Sequence, residues 1–218
     1  MATAPPIAAK PKPRVIVYID GLNLYYGVLQ QVPASRWLNV ERLCELLRPN
    51  DDLKLIKYFS APVAGSADQA TYLRALATLP KVQVILGKFK RKKVKCGVGG
   101  CGHLASKWFT VPEEKRTDVN IAVSMVDDAY QNACDHFVVM SGDSDLVPGV
   151  ATVRQRFASK TITVYVPSRN PIRAAAVELR TAANRARELP LILLPKAQFP
   201  NSIPDGIGGT LNRPTSWV

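Results

Sequence analysis

Residues 14–23 form an apolar, largely β-branched run that stops at a carboxylate: Arg14-Val15-Ile16-Val17-Tyr18-Ile19-Asp20-Gly21-Leu22-Asn23. A second run ends in the same way: His136-Phe137-Val138-Val139-Met140-Ser141-Gly142-Asp143-Ser144-Asp145. Short apolar runs that end in turn residues are typical of buried strands. In an open α/β sheet, ligands bind beyond the carboxyl ends of the strands, near the topological switch point. We therefore expect Asp20 and Asp143 to lie at the same edge of one sheet.

Strand and helix patterns alternate along the rest of the chain. Predicted strands cover 14–20, 53–59, 82–89, 136–141 and 161–166, and predicted helices cover 39–48, 66–79, 117–131, 145–157 and 171–186. Such alternation favours right-handed crossovers between parallel strands. The expected fold class is therefore α/β, with a mostly parallel central sheet and helices on both of its faces.

Length and charge limit the classes of function. The chain has 218 residues, which fits one α/β domain with irregular ends. Its net charge of +12 favours a phosphate-rich partner, either nucleic acid or an anionic membrane surface. No apolar run reaches the roughly 18 residues of a membrane span, and no segment resembles a secretory signal. The four cysteines therefore predict reduced thiols in a cytoplasmic protein rather than a disulfide framework.

The composition changes at both ends of the chain. Residues 1–13 are mostly Ala, Pro and Lys and are predicted to form a flexible, basic N-terminal arm. Residues 14–195 form the predicted domain, which contains a basic loop with glycines and cysteines at 88–110. Residues 196–218 are rich in Pro and Gly and are predicted to form an irregular or partner-dependent tail, with Trp217 as a docking residue.

Four aspartates are the candidates for chemistry: Asp20, Asp118, Asp143 and Asp145. Each of them has a purely structural alternative, because an Asp after a strand can cap a turn or a helix. Their combination favours a site for Mg²⁺ or Mn²⁺, which bind oxygen ligands and keep several waters. Asp127 and Asp128 lie too far along the predicted helix to share an ion with Asp118, and we expect them on a solvated helix face.

Three blocks of sequence resemble the NYN-domain family, part of the PIN-like nuclease superfamily, which includes the bacterial LabA-like group. The blocks are Tyr18-Ile19-Asp20-Gly21-x-Asn23, Glu114-Lys115-Arg116-Thr117-Asp118-Val119-Asn120-Ile121-Ala122 and Ser141-Gly142-Asp143-Ser144-Asp145-Leu146-x-Pro148. The resemblance spans roughly residues 14–190. It implies a PIN-like three-layer α/β/α sandwich and a metal-dependent ribonuclease.

The resemblance also implies roles for individual residues. Asp20, Asp118 and Asp143 match the acidic metal positions, and Asp145 matches a further acid that binds metal directly or through water. Asn23 matches a polar residue that holds a water or a backbone phosphate. Ser141 matches the small hydroxyl residue before the acidic turn. The implied chemistry is in-line hydrolysis of RNA phosphodiester bonds with Mg²⁺ or Mn²⁺ as the cofactor.

A basic segment precedes the helix that carries Asp118. Its candidate nucleic-acid-binding residues are Lys88, Lys90, Arg91, Lys92, Lys93, Lys95, Lys115 and Arg116. Lysine and arginine release counterions when they neutralise phosphates, which gives salt-sensitive affinity. Trp108 is a candidate for stacking on an unpaired base, as in proteins that bind single strands. Tyr25 and Tyr26 could stack in the same way or pack on a helix face.

Two further alternatives stay open. Cys96, Cys101 and His103 offer three ligands of a possible zinc loop, whereas free thiols in a Gly-rich loop are the simpler interpretation. No Gly-x-Gly-x-x-Gly follows the first predicted strand, so a dinucleotide site is not indicated. The competing function is a non-catalytic RNA-binding or regulatory module that uses the same basic surface.

Overall fold

The computed structural model describes residues 11–98, 108–170 and 176–217, and the strands and helices below belong to these ranges. The strands are β1 Arg14–Asp20, β2 Asp52–Ser60, β3 Val82–Leu86, β4 Lys88–Lys95, β5 Trp108–Lys115, β6 His136–Met140, β7 Thr161–Val166, β8 Arg185–Glu188, β9 Ser202–Pro204 and β10 Thr210–Asn212. The helices are α1 Gly21–Gly27, α2 Val40–Leu47, α3 Ala67–Ala77, α4 Thr117–Tyr130, α5 Val147–Arg156 and α6 Val177–Ala182. None of these helices combines the length and the apolar character that crossing a bilayer requires.

The central sheet has six strands in the order β3-β2-β1-β6-β7-β8, and every neighbouring pair is parallel. The chain winds outward from β1 through β2 to β3, and then from β6 through β7 to β8 on the other side. The strand order therefore reverses between β1 and β6, and this is the topological switch point of the sheet. The prediction of an α/β fold with a parallel sheet is confirmed.

Alternating side chains of the sheet build two separate cores. On β1, Val15, Val17 and Ile19 join the core beneath α2 and α3, whereas Ile16 and Tyr18 join the core beneath α4 and α5. All five side chains are buried, as expected for a strand that is covered on both faces. The sheet and its two helical layers form the predicted α/β/α sandwich.

The basic segment forms an antiparallel hairpin, which we call the basic hairpin, from β4 and β5. The predicted third strand, 82–89, therefore ends earlier than expected, at Leu86. Gly87 separates the sheet strand from β4, and a Cβ at this position would lie 2.7 Å from Thr117 Oγ1 and 2.8 Å from the Lys115 carbonyl oxygen. Only a glycine lets the chain leave the sheet so close to the start of α4.

The C-terminal part of the predicted domain differs from expectation. The helix predicted over 171–186 is the short α6, and residues 171–175 lie outside the described ranges. Residues 185–188 form the edge strand β8 of the sheet. This prediction failed because Arg185-Ala186-Arg187-Glu188 has no apolar alternation, and its strand conformation comes from backbone pairing with β7.

The region after Lys196 is more regular than the irregular tail that composition predicts. It contains the antiparallel pair β9 and β10, whose Ile203 and Leu211 are buried in the core beneath α2 and α3. Trp217 is also buried, and its ring centroid lies 6.3 Å from that of Trp37. Scattered apolar side chains therefore anchor this segment to the domain. Trp217, predicted as a docking residue, is part of the core in this structure. The N-terminal arm predicted over 1–13 lies almost wholly outside the described residues.

The two adjacent aspartates of α4 have different environments. Asp127 is exposed, as predicted, whereas Asp128 is buried and the prediction of a solvated side chain is wrong for it. Asp128 Oδ2 accepts hydrogen bonds from the Tyr18 hydroxyl at 2.6 Å and from Lys57 Nζ at 2.7 Å. A buried carboxylate needs such a paired cation and hydrogen-bond donors.

Candidate metal centre

Asp20 is the last residue of β1 and also the N-cap of α1. Its Oδ1 accepts a hydrogen bond from the Asn23 backbone N–H at 2.9 Å, and its Oδ2 accepts one from the Ser141 hydroxyl at 2.9 Å. The side chain is 4% exposed. Because both oxygens are held, the orientation of this carboxylate is set by the start of α1 and by the turn after β6 before any ligand binds.

The turn after β6 brings Asp143 to the same place. Ser141 Oγ accepts a hydrogen bond from the Asp143 backbone N–H at 3.1 Å, so one buried hydroxyl connects Asp143 with Asp20. The Gly142 backbone N–H donates to Asn23 Oδ1 at 2.9 Å. Asn23, which we expected to hold a water or a phosphate, therefore uses its carbonyl oxygen to fix the acidic turn.

Asp118 completes the cluster from the first turn of α4. Asp20, Asp118 and Asp143 each direct a carboxylate oxygen to within 4.8 Å of the others. The three residues come from β1, α4 and the turn after β6, and they meet at the switch point of the sheet. They line a cleft of about 370 Å³, which we call the acidic cleft, together with Asn23, Tyr26, Glu114 and Ser168.

The electrostatics of the cluster follow from burial and repulsion. Burial, opposed by the hydrogen bonds from Asn23 and Ser141, raises the pKa of Asp20 to about 6, and the negative charge of Asp143 adds to the increase. Burial and the charges of Asp143 and Asp20 raise the pKa of Asp118 to about 6 as well. Like charges that crowd one another in this way favour a bound proton or a bound cation.

Glu114 is a fourth carboxylate of the acidic cleft, and the sequence analysis missed it as a site residue. Its Oε1 accepts hydrogen bonds from the Thr117 backbone N–H, at 3.1 Å, and from the Thr117 hydroxyl. Its charge contributes to the raised pKa values of both Asp20 and Asp118. The available signal was its spacing, because Glu114 comes four residues before Asp118 in the same quoted block.

Asp145 lies at the margin of the site. It is exposed, and its backbone N–H donates to Asp143 Oδ1 at 3.0 Å. Its charge raises the pKa of Asp118, but its carboxylate does not belong to the group whose oxygens approach within 4.8 Å. Its contribution to an ion would therefore be electrostatic or through water.

The basic hairpin divides the predicted RNA-binding residues between two sides, because successive side chains of a strand point to opposite faces. Lys88 and Lys90 border a depression together with Lys115, Arg116 and the start of α4. Arg91, Lys93 and Lys95 alternate with them along β4. Glu113 of β5 forms ion pairs with Lys92 at 3.0 Å and with Lys115 at 3.1 Å. Of the predicted RNA-binding residues, Lys88, Lys90, Lys115 and Arg116 therefore border the helix that carries Asp118.

Trp108 and Cys96 lie at the distal end of the basic hairpin. Trp108 is 55% exposed and borders a depression with Lys93, Phe109 and Thr110. Cys96 is partly buried and is a free thiol. The zinc prediction is not tested, because Cys101 and His103 lie outside the described residues.

An open parallel sheet with carboxylates converging at its switch point defines a doubly wound α/β protein of the kind that binds ligands at that edge. The NYN domain family model matches residues 14–190. This chain therefore belongs to the NYN-domain family, a family of PIN-like nucleases, and the resemblance noted from the three sequence blocks is confirmed.

Two individual proteins add to this comparison. The chain is 29% identical over 241 aligned positions to 6-hydroxy-3-succinoylpyridine 3-monooxygenase HspA of Pseudomonas putida (strain DSM 28022 / S16), an alignment that covers 94% of this chain and 75% of the relative. It also resembles the crystal structure of a protein of unknown function from Vibrio parahaemolyticus RIMD 2210633. That match has a TM-score of 0.51 and 16% identity, and covers 84% of this chain and 96% of the other. The structural likeness supports the fold alone.

Proposed function

We propose that this protein is a divalent-metal-dependent ribonuclease that hydrolyses RNA phosphodiester bonds in the acidic cleft. The observation that carries the proposal is the convergence of Asp20, Asp118 and Asp143, whose oxygens lie within 4.8 Å of one another. Membership of a PIN-like nuclease family supports the reaction class. The net charge of +12 supports a polyanionic substrate.

The donor set fits Mg²⁺ or Mn²⁺. All three residues offer hard carboxylate oxygens, and these ions accept two or three such ligands and complete their shell with water. When bound, a divalent ion of this kind lowers the pKa of a water and stabilises charge on a phosphate. Asp20 is oriented for this role by the Asn23 N–H and the Ser141 hydroxyl. Glu114 adds negative charge at the rim and positions the first turn of α4 through Thr117.

The substrate is proposed to be single-stranded RNA that approaches along the basic hairpin. Lys88, Lys90, Lys115 and Arg116 form a positive surface beside the start of α4, which carries Asp118. Contacts to phosphates at these positions would hold the backbone without reading its sequence. The exposed Trp108 ring at the far end of the hairpin would stack on an unpaired base.

Cleavage of end-labelled single-stranded RNA with Mg²⁺, Mn²⁺ or a chelator tests the proposal. Cleavage should require the ion and should be lost in Asp143→Asn, whereas RNA binding by that variant should be retained or tightened. Asp127→Asn is the matched control, because Asp127 is exposed on α4 and lies about 13 Å from Asp118 along the helix axis. If the wild-type protein binds RNA but never cuts it with either ion, the non-catalytic RNA-binding module is the correct function.

A second candidate function comes from the Pseudomonas relative, whose name assigns it a monooxygenase reaction on 6-hydroxy-3-succinoylpyridine. The observation that favours this candidate is a ring-lined cavity beside the acidic cleft, with Tyr25, Tyr58 and Tyr72 in its wall. Incubation with that pyridine, dioxygen and a reduced nicotinamide, followed by mass spectrometry, tests it. A pyridine product that contains one oxygen atom from labelled dioxygen would support this function in place of the ribonuclease.

A further inference from the structure

A second cavity of about 340 Å³ lies beside the acidic cleft, and we call it the aromatic cavity. Its volume falls within the range of about 300–1,000 Å³ that is usual for small-ligand pockets. Its wall contains five aromatic rings: Tyr25, Tyr26, Tyr58, Tyr72 and Trp217. Tyr72 forms edge contacts with two of the others, with ring centroids 6.2 Å from Tyr58 and 5.7 Å from Trp217. The cavity therefore offers flat apolar surfaces that are fixed by their mutual contacts.

The aromatic cavity and the acidic cleft are neighbours. Leu22 and Tyr26 line both of them. Gly21, which directly follows Asp20, belongs to the wall of the aromatic cavity. Burial raises the pKa of Tyr58, and the charge of Asp20 raises it further, so the tyrosine lies within electrostatic reach of the candidate metal ligand. A molecule bound at the carboxylates could therefore extend into the aromatic cavity.

Polar groups also face this cavity. Tyr58 and Ser60 are 4% and 3% exposed, and both belong to its wall. In the described part of the chain, no side-chain hydrogen bond holds either hydroxyl, and neither belongs to the enclosed polar atoms without a partner, so both are accessible to a molecule in the cavity. Arg36 also lines the cavity, where its guanidinium donates to the carbonyl oxygens of Leu29 and Gln30. The cavity thus combines ring surfaces with unused hydrogen-bonding groups.

We infer that the aromatic cavity receives the unstacked base of the nucleotide adjoining the scissile phosphate, an inference that rests on the proposed ribonuclease function. A nucleobase has two apolar faces that stack on aromatic side chains and a polar edge that pairs with hydroxyls and amides. A base in the cavity and a phosphate at the carboxylates can belong to one nucleotide or to two adjacent ones, because the two sites share wall residues. A single strand presents a base in this way most readily, since a base in a duplex must first be unpaired and unstacked.

The C-terminal segment contributes Ser216 and Trp217 to the wall of the aromatic cavity. Trp217 closes part of the cavity wall, and Ser216 Oγ donates to Asp68 Oδ2 at 2.5 Å at the start of α3. The anchoring of residues 198–217 to the domain therefore completes a binding surface. Trp217 also serves as a spectroscopic reporter, because a base in the cavity would contact its ring.

The first test uses compounds that contain a base but no phosphate. Adenosine, guanosine, cytidine and uridine are titrated in chelator, with binding followed by Trp217-dependent fluorescence against a Trp217→Phe reference. Ribose 5-phosphate, which has no base, is the negative probe. At least one nucleoside should bind, and Tyr26→Ala should weaken its binding about tenfold, because the variant lacks one of the rings on which the base stacks. Tyr130→Ala is the matched control, because Tyr130 is likewise an exposed tyrosine and lies outside this wall.

The second test uses RNA oligomers in which one abasic nucleotide is moved along the chain. Removal of the base at one position should weaken binding to the wild-type protein, and the same removal should weaken binding to Tyr26→Ala about tenfold less. The inference is overturned if no nucleoside binds up to its solubility, if ribose 5-phosphate gives the same signal, or if every abasic oligomer binds like the intact RNA. The last result combined with nucleoside binding would mean that the cavity takes a free heteroaromatic molecule. Because both tests measure binding in chelator, they stay decisive even if the protein cleaves no RNA.

Discussion

The affinity of the acidic cleft for a divalent ion should fall steeply as the pH is lowered from about 7 to about 5. Burial and neighbouring negative charges raise the pKa values of Asp20 and Asp118 to about 6 each. An ion must displace the protons from both carboxylates before it can bind them. Lowering the pH therefore introduces a competitor at two of the three proposed ligands, whereas ordinary aspartates with pKa values near 3.8 would be ionised throughout this range.

The size of the effect follows from the two titrations. With a pKa of about 6 each and independent protonation, both groups are ionised in most molecules at pH 7 but in only about 1% at pH 5. The apparent dissociation constant should therefore rise by at most about 100-fold, or about 2.7 kcal/mol, because protonation of Asp20 removes one of the charges that raise the pKa of Asp118. The stability of the metal-free protein should change in the opposite direction. A raised carboxyl pKa stabilises the fold below pH 3.8, and this contribution is lost as the pH rises through about 6.

Calorimetric titration with Mn²⁺ at several pH values measures the change, and far-UV circular dichroism verifies that the protein stays folded. Asp118→Asn should reduce the dependence from about two protons per ion to about one. Asp127→Asn carries the same substitution outside the cleft and should keep the wild-type pH dependence. An affinity that changes less than about threefold between pH 7 and pH 5 would refute the argument.

Three further predictions concern the fold around the site. Asp128→Ala should destabilise the protein by about 3–5 kcal/mol in urea unfolding, because it leaves the buried Lys57 ammonium unpaired, whereas replacing both residues by Leu and Met should cost much less. An equal loss for the single and double variants would contradict this. Burial and the Arg48 guanidinium lower the pKa of His136 to about 4, so protonation of His136 should contribute a loss of about 2 kcal/mol of stability as the pH decreases from about 7 to 5, measured as the difference between the wild-type protein and His136→Asn because Asp20 and Asp118 contribute with the opposite sign. His136→Asn should remove that dependence, and an unchanged slope would count against it. Arg116 has a left-handed φ of 86°, so Arg116→Asn should keep or raise stability by up to about 1 kcal/mol while RNA affinity measured by filter binding falls. A clear loss of stability would show that the side chain, not the backbone, dominates there.

Most of the sheet could be predicted from the sequence because its strands carry their own signal. The runs ending at Asp20 and Asp143 are buried on both faces, and a continuous apolar run marks such strands. The edge strand β8 and the pair β9 and β10 carry no comparable pattern. They are strands because a neighbouring backbone or a scattered set of apolar anchors holds them, and those partners are distant in sequence.

The candidate site likewise contains residues that could be predicted from the sequence and residues that could not. Asp20, Asp118 and Asp143 can be predicted from the sequence because each one ends or follows a strand or begins a helix, and the topology brings such positions together. Glu114 belongs to β5, in a stretch between the basic loop predicted at 88–110 and the helix predicted from 117, so no predicted element placed it at the switch point. Asp128 was misjudged because its partners, Tyr18 and Lys57, belong to strands that only the folded sheet places beneath α4.

Glu114 gives the basic hairpin a structural role besides the proposed binding of RNA. The residue belongs to β5, yet its carboxylate lines the acidic cleft and accepts hydrogen bonds from Thr117 at the start of α4. The strand opposite is fixed at the same point, because a side chain at Gly87 would collide with Thr117 Oγ1 and with Glu114 Oε1 at 2.9 Å. These contacts hold the base of the basic hairpin in a fixed position relative to the first turn of α4, which carries Asp118. Phosphates held by Lys88, Lys90 and Lys115 would be set at a constant distance from the carboxylates, which is the positioning that in-line hydrolysis requires.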